Sequence, residues 1–196
     1  ESVNGTYIKL SAKSKQKINP FDLATTFHKI SDLSEHAQDL TEVISLMAEG
    51  LSSREKAAVD KAILKIYKQA KNQQPLLEDL YAELQSLGQL KLCERLEKYI
   101  SGSLADVFNA QTNIKLDNRL VIFDIKDLPE SLRQIMMLII SNFVKNQVMA
   151  KPEKRLLIID EGWMLLEHEE SARFVAGLVR RARKYYLGVS IISQQA

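Results

Sequence analysis

The feature that most constrains the fold is a change of hydrophobic pattern after Asn109. Strand-like and helix-like segments then alternate in five steps, at residues 120–123, 131–149, 156–159, 169–185 and 189–193. Continuous runs of apolar residues are typical of parallel strands that are covered on both faces. The order strand, helix, strand, helix, strand predicts a parallel α/β layer with right-handed crossovers.

The residues before this point predict a different arrangement. A strand is expected at residues 6–10, and from Ser31 onward apolar residues recur at helical spacing through four segments that end near residue 100. The low content of turn formers, 7 Gly and 4 Pro, agrees with a largely helical chain. We therefore expect three parts, namely an N-terminal strand and loop of the core (1–27), an all-helical lobe (28–110) and the rest of the α/β core (111–196).

Two capping-box patterns predict where helices begin. Ser52 with Glu55 opens the second helix of the lobe, and Ser131 with Gln134 opens the first helix of the core. In such a box, the Ser hydroxyl and the acidic or amide side chain three residues later each bond a backbone N–H of the first turn.

Composition excludes several classes of function. The net charge of +2 gives no reason by itself to expect nucleic-acid binding, and the single cysteine, Cys93, leaves no internal disulfide. The three histidines, His28, His36 and His168, lack the spacing of a zinc site. No stretch approaches the roughly 18 apolar residues of a membrane span.

The sharpest candidate for chemistry is the acidic pair that follows residues 156–159. Asp160 and Glu161 emerge at the carboxyl end of an apolar strand, where open α/β sheets bind ligands. In phosphoryl-transfer enzymes the first acid of such a pair holds Mg²⁺, and a second can accept a proton from the attacking water. The alternative is a chance acidic pair that ends an ordinary strand. Trp163, two residues later, is interpreted as a packing residue.

Gln194 ends the next predicted strand, one crossover after Asp160. If the two strands are parallel neighbours, its amide lies near the acids and can hydrogen-bond both a water and a phosphate oxygen. For Gln194 considered alone, a polar residue that ends a strand is the simpler interpretation.

A basic cluster precedes that strand: Arg180, Arg181, Arg183 and Lys184 fall within five residues. Compensation of a helix dipole needs only one or two of these charges. The others suit contact with a phosphate bound by a neighbouring subunit, or with a DNA backbone.

These motifs together resemble a known family. The segment Leu-Leu-Ile-Ile-Asp-Glu-Gly-Trp at 156–163, the cluster at 180–185 and Ser-Gln-Gln at 193–195 are similar to the C-terminal ATPase domain of type IV secretion and conjugative-transfer ATPases, the fourth-component VirB class, which belong with the HerA and FtsK motors. Residues 18–22 and 120–124 also look like family segments.

The resemblance implies a RecA-like P-loop core with an inserted helical lobe, and an ATP hydrolase that works as an oligomer, often a hexamer, at the cytoplasmic base of a secretion channel. By position, Asp160 and Glu161 would be the Walker B pair, with Mg²⁺ on Asp160. Gln194 would be the sensor that contacts ATP, and one of Arg180, Arg181 and Arg183 would reach an adjacent site. Other secretion subunits, and DNA, would be partners.

One departure from the family pattern concerns the Walker A loop. No Gly-x-x-x-x-Gly-Lys-Ser/Thr segment occurs in the sequence. We expect the loop upstream in a longer protein, so that this chain alone binds ATP poorly and is inactive. Two other functions stay open, a DNA translocase of the HerA and FtsK type and a non-catalytic scaffold that docks other secretion subunits.

Overall fold

A computed structural model describes residues 4–23, 30–70 and 73–193. It confirms a mixed α/β fold in which a helical lobe is inserted between the first two strands. The strands are β1 (Gly5–Lys9), β2 (Leu120–Asp124), β3 (Arg155–Ile159) and β4 (Leu187–Ile191). The lobe helices are α1 (Ile30–Met47), α2 (Ser53–Gln69), α3 (Leu77–Ser86), α4 (Leu90–Ile100) and α5 (Ala105–Phe108). The core helices are α6 (Glu130–Ala150) and α7 (Glu169–Ala182), with short 3₁₀ turns at Gly162–Leu165 and Arg183–Tyr185.

The strands pair in parallel, but they form two sheets rather than one layer. β1 pairs with β2 and β3 pairs with β4, and within the described part of the chain neither pair is hydrogen-bonded to the other. The expectation of a single layer is therefore wrong for these residues. An apolar run specifies that a strand forms, whereas its neighbour is decided by how the crossover helices pack, which the run does not encode.

Each sheet has one covered and one open face. In β3 the side chains of Leu156 and Ile158 are 65% and 57% exposed, whereas Ile159 on the opposite face is buried. In β2 the exposed side chains are Leu120 and Ile122. The expectation that these strands are covered on both faces is wrong for the described chain, because an apolar side chain indicates that a face can be covered but not what covers it.

One of the two predicted capping boxes forms. The Ser52 backbone N–H donates to Glu55 Oε2 at 2.8 Å, and the Glu55 N–H donates to Ser52 Oγ at 3.3 Å, at the start of α2. The Ser131–Gln134 box is wrong. α6 begins one residue earlier, after Pro129, and Gln134 instead donates its amide to the backbone oxygen of Met164 at 2.6 Å. Gln134 is buried, so this bond satisfies a polar group that the cap would have left in the core.

A buried ionic cluster joins the lobe to the core. Lys145 of α6 is almost fully buried and its Nζ lies 2.6 Å from Glu35 Oε1 of α1, with a second ion pair to Asp39. Arg181 of α7 also pairs with Glu35. Although burial opposes it, the cationic contacts with Lys145 and Arg181 hold the pKa of Glu35 below its usual value. Burial dominates at Asp39 and raises its pKa. We call these four residues the lobe–core ion cluster.

Among the described residues, none of the helices combines the length and the hydropathy needed to cross a membrane.

Candidate functional site

The acidic pair lies just beyond the carboxyl end of β3. β3 ends at Ile159, and its parallel neighbour β4 runs beside it in the register Ile159↔Ile191. The Asp160 side chain is exposed, and its Oδ1 accepts the backbone N–H of Glu161 at 3.0 Å. The pairing of these two strands confirms the prediction that they are parallel neighbours, although β4 lies two residues earlier than expected.

Glu161 has a backbone conformation that non-glycine residues seldom adopt. Its φ and ψ of 54° and 34° place it in the left-handed helical region, so the chain is no longer extended at Glu161. The chain turns there into the 3₁₀ helix Gly162–Leu165. The Glu161 carboxylate accepts a hydrogen bond from the indole Nε1–H of Trp163, with 2.6 Å between Nε1 and Oε2.

Gly162 is required by the close approach of β4. A Cβ at this position would lie 2.2 Å from Cγ2 of Ile191, far inside van der Waals contact. The Gly162 backbone N–H also donates to Ile192 O at 2.9 Å, and the Ile192 N–H donates to Ile159 O at 2.8 Å. These bonds hold the chain that follows β4 against the turn that carries the acids.

Gln194 lies outside the described residues. The described residues extend to Ser193, which directly precedes Gln194. Ile192 is hydrogen-bonded to Ile159, before the acidic pair, and to Gly162, after it. The sensor role of Gln194 therefore stays a prediction.

The basic cluster lies at the opposite edge of the sheet from the acids. α7 ends at Ala182, three residues earlier than expected, and the chain continues as the 3₁₀ turn Arg183–Tyr185 into the amino end of β4. Just after the cluster, Tyr186 O accepts the backbone N–H of Arg155 at 3.1 Å, where β3 begins. Five residues of β3 therefore separate the cluster from Asp160 along the strand direction.

The members of the cluster are not equivalent. Arg180, Arg183 and Lys184 are exposed. Arg181 is only partly exposed, since it pairs with Glu35 and its Nε donates to Gly177 O at 3.1 Å. Arg181 therefore has a structural partner within the chain. Arg180 and Arg183 have none among the described contacts.

The carboxylate at this site suits a metal ion that takes most of its ligands from water and substrate rather than from the protein. The described residues contain no group of three or more His, Cys, Asp or Glu side chains placed to hold a metal ion. Mg²⁺ at nucleotide sites takes one or two protein carboxylates and completes its shell with water and phosphate oxygens. The exposed Asp160 carboxylate at a strand end fits that pattern. It does not fit a zinc or calcium site, in which the protein supplies most of the ligands.

Sequence reasoning missed two contributors to this turn. Trp163 packs against the core, as predicted, but its hydrogen bond to Glu161 was not predicted, and Gly162 was not singled out. A glycine directly after two acids at a strand end could have indicated close backbone approach. Nothing in the sequence showed that the indole reaches back two residues to Glu161.

A solved structure of another protein has a similar fold. The structure superposes on that of VirB4 of Thermoanaerobacter pseudethanolicus with a TM-score of 0.79 and 22% sequence identity, covering 95% of this chain and 79% of that one. At this identity the match establishes a shared fold. No curated protein matches the sequence.

The sequence itself supplies the relationship. The family model of the TraG P-loop domain matches residues 90–196, which is more than half of the chain and includes both core helices, the acidic pair and the basic cluster. The resemblance drawn from the motifs is thereby confirmed. The chain belongs to the TraG P-loop domain family.

Proposed function

We propose that this chain is part of an ATP-hydrolysing motor subunit that powers macromolecule transfer, or assembly of the transfer channel, in a type IV secretion or conjugation system. The observation that carries the proposal is the placement of Asp160 and Glu161 at the carboxyl end of β3, beside a parallel neighbour. Open α/β sheets bind their ligands at that edge. Membership of a P-loop family and the VirB4 fold support nucleotide as the ligand.

The two acids take different roles in this proposal. Asp160, exposed and oriented by the Glu161 N–H, holds Mg²⁺, which when bound neutralises charge on the β- and γ-phosphates. Glu161 accepts the proton of the attacking water. Gln194, which follows β4, orients that water or the γ-phosphate.

The position of the arginines supports an oligomer. Arg180 and Arg183 lie away from the acids of their own chain, which supports the proposal that they act on a nucleotide bound by a neighbouring copy. A ring, such as a hexamer, brings each cluster to the next site. In this proposal the ring docks on other secretion subunits at the cytoplasmic face of the membrane.

The exposed cations also favour a second candidate, a DNA translocase of the HerA and FtsK type. Arg180, Arg183 and Lys184 could contact a DNA backbone instead of a nucleotide. Binding to random-sequence duplex DNA that weakens steeply with salt, and that is lost when these three residues are changed to Ala, would favour the translocase. A docking scaffold is the third possibility, and it requires that the complete protein lack turnover.

The deciding experiment removes the proposed base and keeps its shape. In the full-length protein, Glu161→Gln should leave ATP binding intact and lower single-turnover hydrolysis by about 10²- to 10⁴-fold, as loss of a general base does. Glu167→Gln, which changes an exposed acid after the same turn, serves as the matched control and should hydrolyse normally. Hydrolysis at the wild-type rate by Glu161→Gln would exclude Glu161 as the base.

A further inference from the structure

The Glu161 carboxylate has a specific partner that the motif alone does not predict. Trp163 Nε1 lies 2.6 Å from Glu161 Oε2, within hydrogen-bond distance, and a carboxylate is a stronger acceptor than a neutral group. Both side chains are only partly buried, so the bond is not explained as relief of an unpaired polar group in the core. The indole N–H could instead have donated its hydrogen bond to water.

The two side chains differ in stiffness, which gives the bond a direction of action. The Trp163 ring sits on the 3₁₀ helix Gly162–Leu165, between the buried residues Gly162 and Met164, and packs against the core. A glutamate has three rotatable side-chain bonds and loses substantial rotamer freedom when it is fixed. The ring can therefore define where the carboxylate stands, whereas the carboxylate contributes little to the placement of the ring.

The backbone adds to this constraint. Glu161 is held in the left-handed region, which is strained for a non-glycine residue and persists only where the surroundings enforce it. The bond from Gly162 N–H to Ile192 O fixes the peptide that follows. The main chain and the side chain of Glu161 are thus each fixed by a separate contact.

We propose that Trp163 is a positioning residue, whose indole N–H holds the Glu161 carboxylate in the orientation from which it accepts the proton of the attacking water. The proposal rests on the proposed function for its kinetic consequence. The contact itself can be tested without any nucleotide.

The direct test uses the fact that Trp163 is the one tryptophan of the sequence. The 196-residue protein, labelled with ¹⁵N, should give a single indole N–H resonance for a folded state. Glu161→Gln should shift that resonance upfield and speed its exchange with water, because a neutral amide is a weaker acceptor than a carboxylate. Glu167→Gln should leave it in place. If Glu161→Gln leaves the position and the exchange rate of the indole resonance unchanged, the proposal is overturned, whether or not the protein hydrolyses ATP.

The kinetic test removes the donor and keeps the ring. In the full-length protein, Trp163→Phe should lower kcat for ATP by about 10- to 100-fold, the scale expected when a catalytic group is misplaced by about an ångström. The KM for ATP should stay near the wild-type value, because the carboxylate acts after binding. The control is Tyr81→Phe, which likewise deletes one donor to a carboxylate, that of Glu97, but lies in the helical lobe. It should leave kcat unchanged.

The outcomes separate the two proposals. A wild-type protein without turnover overturns the proposed function, and the indole resonance then still decides whether the contact exists. A Trp163→Phe protein that hydrolyses at the wild-type rate overturns the positioning role, even if the resonance responds. If Trp163→Phe raises KM and lowers the melting temperature together, the ring is a structural element only. The resonance test retains Trp163, so it stands even where Trp163→Phe fails to fold.

Discussion

His36 is a buried histidine whose hydrogen bonds define its charge state. The Tyr67 hydroxyl donates to the backbone oxygen of Phe21, so it can only accept from His36 Nε2, at 2.8 Å. His36 Nδ1 then accepts from Asn146 Nδ2 at 3.4 Å. This pattern fits the neutral Nε2–H tautomer. Burial lowers the pKa of His36 to about 3, and the nearby charge of Lys145 acts in the same direction.

The sign of the resulting pH dependence follows from linkage. The unfolded histidine titrates near 6.5, so between pH 6.5 and about 3 the unfolded state binds a proton that the folded state does not. Stability contributed by His36 is complete above pH 6.5 and is lost as the pH falls. Between pH 7 and pH 5, the wild type should lose about 2 kcal/mol more unfolding free energy than His36→Gln. Urea titrations at the two pH values measure this difference, and equal losses would show that His36 is protonated in the folded protein.

At this scale the sequence predicted the identities of the acids but not their surroundings. Asp160 and Glu161 could be placed at a strand end because four apolar residues precede them. The left-handed conformation of Glu161 could not be predicted, since it depends on how closely β4 approaches Gly162. The bond from Trp163 follows from that turn, so it was equally hidden.

At the scale of elements, α1 connects the lobe to both core helices. Glu35 of α1 forms ion pairs with Lys145 of α6 and with Arg181 of α7. The lobe is therefore attached, through Glu35, to the helix that carries Arg180 and Arg181 of the basic cluster.

Removal of Lys145 should expose the cost of that buried cluster. Lys145→Met leaves Asp39 buried without its cation, and breaking a buried pair in this way costs about 3–5 kcal/mol. Lys151→Met, which removes an exposed ion pair with Glu153 after the end of the same helix, should cost no more than about 1 kcal/mol. Urea unfolding of both variants gives the comparison, and equal costs would mean that the cluster contributes no more than a surface pair.

The helices were predictable where local chemistry fixes their ends. α4 ends at Ile100, where the last helical segment of the lobe was expected to end, and α2 begins at the Ser52–Glu55 box. α6 begins outside its predicted box because Gln134 has a tertiary partner, Met164 O, that competes with the cap. Such a competitor lies thirty residues away in the chain, beyond any local pattern.

At the scale of the whole molecule, the acids and the arginines occupy opposite edges of the β3–β4 sheet. A crossover between parallel neighbours returns the chain to the edge from which it started, so the segment after α7 lies beside the first residue of β3. This separation could be predicted from strand order alone. The open faces of both sheets could not, because their cover depends on elements that the strand sequences do not specify.

The separation makes a prediction for mixed assemblies. In the full-length protein, Arg183→Ala or Arg180→Ala should lower turnover by about 10³- to 10⁵-fold and leave ATP affinity intact, as loss of an arginine acting across an interface does. Mixing either variant with Glu161→Gln should restore part of the activity, because intact acids in one copy meet intact arginines in the other. Arg173→Ala, on an exposed face of α7, is the control.

Two results would contradict this prediction. Normal hydrolysis by both single variants would exclude a catalytic role for these arginines. Mixed assemblies no more active than the separate variants would show that the arginines do not act between copies.

Because the backbone of Glu161 is left-handed, stability and activity favour different residues at this position. Glycine adopts this conformation without strain, so Glu161→Gly removes the proposed base and relieves the turn at the same time. A library sorted only for folded, abundant protein would enrich glycine at this position, and one sorted for turnover would retain glutamate. The residue at 161 thereby shows which of the two pressures a descendant of this chain has experienced.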